Sequence, residues 1–137
     1  MKITNHKFLI AILTAFLISG IWNTISAEKK GHPSINFTEL SYNFGTIKEN
    51  GGKVSHDFIF TNKGEGNLVI HSATPQCGCT VPEFPQEPIG PGKTGVLKVV
   101  FNPAGQRGTF TKTVTVRCNG HPGKVVIKLQ GTVIPSK

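Results

Sequence analysis

Cys77 and Cys79 are the side chains most capable of chemistry in this chain, and a single glycine separates them in the run Pro75-Gln76-Cys77-Gly78-Cys79-Thr80-Val81-Pro82. If this run is extended, the two side chains face the same way with Cα atoms ~6.6 Å apart. That is the upper edge of what a disulfide spans, and Gly78 permits a bend that brings the sulfurs together in a small, easily reduced ring. A second option links one of them to Cys118. Closing a loop of ~40 residues is worth roughly 4 kcal/mol in the chain-entropy model, and the three-residue ring less than half of that. Two further chemistries use the same residues. A dithiol here would be redox-active, although no helix start follows to lower a thiol pKa. Two thiolates with His71 or Cys118 would suit soft Cu(I) or Zn(II), although no spacing fixes a third ligand. Covalent catalysis would need a partnered base, for which His71 is only the nearest candidate in sequence.

No other constellation competes. Asp57 is the only aspartate and belongs on a solvent face beside His56. No Gly-x-Ser-x-Gly elbow is present, so serine hydrolase chemistry lacks its usual frame. Glu83 and Glu87 fall in a proline-rich stretch with nothing to pair them across a substrate. Gly90-Pro91-Gly92 lacks the lysine and serine of a phosphate loop and reads as a turn. His32, His71 and His121 are dispersed. The expectation is a protein with no catalytic residue, no cofactor and no metal, and with Cys77, Cys79 and Cys118 as its disulfide or thiol site. The alternative is a copper or zinc protein with Cys77, Cys79 and His71 as ligands, or a thiol-redox protein centred on Cys77 and Cys79.

The compartment follows from residues 1–27. Lys2 and Lys7 precede the apolar run Phe8 to Ile18, polarity rises from Ser19, and Ala27 stands before Glu28-Lys29-Lys30. This is the layout of a cleaved secretory signal peptide. The run falls short of the roughly 20 apolar residues of a spanning helix, so no membrane span is expected after cleavage. Of the chain's 137 residues, 13 basic and 7 acidic ones lie beyond residue 27, a net charge of +6. Export, scattered lysines and only two arginines (Arg107 and Arg117) argue against nucleic acid as a partner. The expected place is the periplasm or cell envelope, where disulfides persist, and the expected partner is another envelope protein.

These side chains need a scaffold, and its signal is alternation. After a leader at 28–33, one domain is expected over 34–137. Apolar residues alternate with polar ones, and Gly, Pro or Asn interrupts them about every 8 to 12 residues. Ser34–Phe37, Tyr42–Ile47, Val54–Thr61, Leu68–Ala73, Gly95–Phe101, Thr109–Cys118 and Lys124–Val133 read as strands. Phe58, Phe60, Leu97, Val99, Phe101, Phe110, Val114, Val116, Cys118, Val125, Ile127, Leu129 and Val133 point inward. Gly45 marks a bulge. Asn62–Asn67 has the composition of a hairpin turn with glycines at positive φ. Pro82, Pro85, Pro88 and Pro91 exclude a central strand, so 82–91 is expected as a long surface connection. About seven strands in roughly 100 residues fit an immunoglobulin-like antiparallel β-sandwich.

Tyr42-Asn43-Phe44-Gly45-Thr46-Ile47, Phe58-Ile59-Phe60-Thr61-Asn62, Cys77-Gly78-Cys79-Thr80, Pro88-Ile89-Gly90-Pro91-Gly92, Phe101-Asn102-Pro103 and Gly108-Thr109-Phe110 occur in that order. Together they resemble the bacterial envelope family known as domain-of-unknown-function family 1573. They are also similar to Hydin-type and major-sperm-protein-like immunoglobulin domains. The resemblance implies a seven-stranded sandwich used for interaction, and it implies no established activity. Cys118 lies outside the shared motif.

Overall fold

The computed structural model describes residues 31–137; the signal peptide expected over 1–27 and the first leader residues lie outside them. The fold is all-β. Eight strands follow in order: β1 (Ile35–Phe37), β2 (Ser41–Lys48), β3 (Val54–Asn62), β4 (Ile70–Pro75), β5 (Thr80–Glu83), β6 (Thr94–Phe101), β7 (Gly108–Cys118) and β8 (Lys124–Ile134). They form two four-stranded sheets, ordered β1-β3-β6-β5 and β2-β8-β7-β4. All neighbours are antiparallel except β2 and β8, which run parallel.

Alternation makes each strand two-faced, and the apolar faces meet between the sheets. Phe58, Phe60, Leu97, Val99 and Phe101 come from the first sheet, and Val114, Val116, Ile127, Leu129 and Val133 from the second. Phe101 stacks on Phe110 across the gap, ring centroids 4.3 Å apart. β2 slips register between Asn43 and Thr46, and Gly45 there takes φ +69°, the expected bulge.

Three expectations change. Pro82 and Glu83, expected within a surface connection over 82–91, belong instead to strand β5, which opens at Thr80. Proline is acceptable there because β5 is the outer strand of its sheet, so Pro82 withholds no donor from a ladder on its open side. The rest of the connection is not wholly superficial: Ile89 is buried and forms a bridge with Leu68. Second, 62–67 is not a hairpin, because β3 and β4 belong to different sheets. Neither Gly64 nor Gly66 has positive φ. They are small for another reason: a Cβ on Gly64 would overlap the His32 carbonyl, and one on Gly66 the Gly31 carbonyl. Third, the polar composition of the leader predicts a loose segment, yet 31–33 is held. The amides of Glu65, Lys63 and His121 donate to the carbonyls of His32, Ser34 and Pro33 at 3.1, 2.8 and 3.0 Å.

Candidate functional site

The chain leaves β4 at the edge of one sheet and enters β5 at the edge of the other, and the step between them is the Cys-Gly-Cys turn. The flanks are pinned. The Gln76 amide donates to the Thr113 carbonyl at 2.9 Å, and the Asn102 amide donates to the Cys79 carbonyl at 2.9 Å. The Gln76 side chain accepts from the Thr113 amide at 3.3 Å. Between these anchors Cys77 and Cys79 are joined by a disulfide, with Cα atoms 5.3 Å apart. The turn closes on itself through the Thr80 amide, which donates to the Cys77 carbonyl at 3.3 Å.

Both cysteines are half-buried and Gly78 is exposed. Gly78 has no positive φ, and a Cβ built on it meets nothing within 4 Å. Glycine is therefore not required for this bend; its effect is to leave the outer side of the ring uncovered. Beneath the ring lies Thr80, 1% exposed. Its hydroxyl is 3.9 Å from Cys77 Sγ and 3.8 Å from Cys79 Sγ.

Register brings a third group alongside. Val54 and Thr80 both pair with Phe101 of β6. One residue further along, Lys53, Asn102 and Cys79 come together, and with Gly78, Val81, Glu83 and Val100 they line a shallow recess of about 190 Å³. Lys53 carries no sequence signal, because only the pairing of three strands places it in the same recess as a cysteine 26 positions away. Thr80 is no more legible: it turns inward as the first residue of β5, a strand that the prolines hide in the sequence.

The other candidates are not assembled. Cys118 pairs with Ile70 at the opposite end of β4 from Cys77. Ile70 to Pro75 alone covers about 17 Å, so the longer bridge that chain entropy favours is out of reach. Cys118 is a buried free thiol, and its Sγ–H donates to the Pro122 carbonyl at 3.4 Å. His71 is exposed at that same distant end of β4, so it does not join the two sulfurs. Among the described residues no three His, Cys, Asp or Glu side chains cluster as a metal site. Glu83 is exposed on β5 opposite Lys98, while Glu87 is exposed in the following connection. His56 lies near the rim of the core. It stacks on Tyr42 with ring centroids 3.6 Å apart and bonds the Glu39 carboxylate.

Asn62 was read only as the start of a turn, yet it is fully buried. Its Oδ1 accepts from the amides of Ser34 (3.2 Å) and Gly64 (3.0 Å). Its Nδ2 donates to the carbonyls of Gly66 (2.7 Å) and Ile89 (2.8 Å). All four hydrogen-bonding positions of the side-chain amide are thereby used.

Residues 35–133 match the family described as "Protein of unknown function (DUF1573)". The chain belongs to that family. No curated protein matches it. Among solved structures, this DUF1573 domain is similar to a protein of unknown function from Porphyromonas gingivalis W83, with 18% identity and a TM-score of 0.65. That match covers 81% of this chain and 50% of the other, so the chain spans half the length of that protein. It is similar to PapD-like domain 7 of human CEP192, with 15% identity, a TM-score of 0.62, and coverage of 77% and 89%. It is also similar to the YadV chaperone, with 14% identity, a TM-score of 0.54, and coverage of 73% and 52%. At these identities the likeness is one of fold: immunoglobulin-like, of the PapD-like kind.

Proposed function

We propose that this chain is an exported, non-catalytic binding module of the bacterial cell envelope that engages a protein partner. The observation carrying this reading is the outer face of the β3-β6-β5 sheet. Ile59 and Val96 are cross-strand partners and stand 47% and 42% exposed. Val81, 53% exposed, pairs with Val100. Between these two apolar pairs runs the charged row Asp57–Lys98–Glu83. Single exposed apolar residues are ordinary, but apolar pairs on adjoining strands beside a charged row have the composition of a contact surface. The chaperone among the structural neighbours supports a binding role. The three-part pattern of residues 1–27 supports export, and among the described residues no helix is long and apolar enough to cross a membrane.

The test is a photo-reactive residue at Val96 in the full chain, expressed in its own host and illuminated in intact cells. The expected result is a discrete cross-linked adduct in the envelope fraction that disappears with Ile59→Asp while the circular dichroism spectrum is unchanged. Cytoplasmic retention of the chain, or the absence of any adduct, would overturn the reading.

A further inference from the structure

We propose that the Cys77–Cys79 disulfide is a thiol-exchange site that accepts two electrons from a dithiol, such as a cysteine pair of another protein, through attack on Cys77 with Cys79 leaving. This goes beyond the binding role and does not depend on it.

Four observations carry the proposal. The ring is too small to be an effective staple: closing three residues is worth under about 2 kcal/mol in the chain-entropy model. Its flanks are already fixed without it, by the bonds from Gln76 to Thr113 and from Asn102 to Cys79, so opening the ring leaves both strands in place. The ring is reachable, since both cysteines are half-exposed and nothing stands over Gly78. Finally, the two sulfurs differ in surroundings. Cys79 shares its recess with Lys53, whereas Cys77 is not among the residues lining it. A cation lining the recess that one sulfur faces favours the thiolate there, and the sulfur with the lower pKa is the better leaving group. The Thr80 hydroxyl, within 4 Å of both sulfurs, offers a weak donor to whichever carries the charge.

The step balances as follows. A thiolate of the incoming dithiol attacks Cys77 Sγ, and the Cys77–Cys79 bond breaks with its electron pair leaving on Cys79 Sγ. The second thiol of the dithiol, deprotonated, then attacks its own sulfur in the mixed disulfide and expels the Cys77 thiolate. The dithiol is oxidised to a disulfide. Cys77 and Cys79 are reduced, and each thiolate takes a proton as its pKa dictates. The buried Cys118 takes no part.

The test uses the purified full chain and dithiothreitol at graded ratios of its reduced and oxidised forms, quenched by acid and read by alkylation and peptide mass. The expected result is reversible, two-electron titration of Cys77 and Cys79, with Cys118 unmodified and the far-ultraviolet spectrum unchanged. Lys53→Gln should slow reduction about threefold to tenfold without moving the melting temperature, which a purely structural disulfide would not show. With oxidised glutathione, Cys79→Ser should capture glutathione on Cys77. A disulfide that resists reduction until the chain unfolds, a fold lost on reduction, or equal rates for Lys53→Gln and the parent would each overturn the proposal.

Discussion

Asn62 and the Cys77–Cys79 pair both stand where the chain passes from one sheet to the other, and they are built in opposite ways. Asn62 ends β3, is buried, and ties three separate segments through one side chain: Ser34 just before β1, the loop at Gly64 and Gly66, and the proline-rich connection at Ile89. The disulfide precedes β5, is half-exposed, and joins residues two apart whose flanks are already bonded to β7 and to the residue after β6. The non-covalent hub constrains segments far apart in sequence, while the covalent link constrains almost nothing. What holds a fold is the separation of what is tied, not the strength of the single bond. A covalent link with little to hold is free to react.

The largest expected effect is at the hub. Asn62→Ala removes the side-chain partner of the Ser34 and Gly64 amides and of the Gly66 carbonyl, while the Ile89 carbonyl keeps the Leu68 amide. With about 1 kcal/mol lost per hydrogen bond, and more where water cannot enter, the loss should be on the order of 3 kcal/mol or more in urea unfolding. Asn62→Asp should not rescue it, since it keeps the acceptor and removes both donors. Next comes the packing beside the hub. A Cβ on Gly95 would overlap Ile89 Cδ1 and the Phe60 ring, so Gly95→Ala should cost about 1–3 kcal/mol by overpacking. Cys118→Ser keeps a donor to the Pro122 carbonyl but puts a hydroxyl in an apolar cluster. It should cost about 1 kcal/mol, the low end for a buried polar group with one partner. The smallest effect belongs to Gly78→Ala, expected within about 0.5 kcal/mol of the parent, because the backbone accepts a side chain and the space is open. A large loss there would break the contrast.

Much of the scaffold could be read in advance because alternation is local. The inward sets of β3, β6, β7 and β8 follow from which residues share a face. So does the Gly45 bulge, from a glycine within a strand pattern. The parts that were hidden depend on register, which no local pattern carries. Pro82 looked disqualifying until β5 proved to be an outer strand. Gly64 and Gly66 looked like turn formers but are small to admit the leader backbone. Cys118 was correctly placed inward, yet its distance from Cys77 appears only once Ile70 is set opposite Cys118. Lys53 and Cys79 share a recess only because β6 pairs with both β3 and β5. Asn62 reads as an ordinary turn residue, and its burial could not be foreseen without knowing that three loops converge on it.

The contrast is tested most directly by measuring urea unfolding of Asn62→Ala and of Cys77→Ser/Cys79→Ser side by side, with the parent chain as reference. The account predicts that removing the amide costs on the order of 3 kcal/mol, and that removing the covalent link costs under about 2 kcal/mol with an unchanged denaturant slope. A double cysteine variant that unfolds as readily as Asn62→Ala, or more readily, would contradict it.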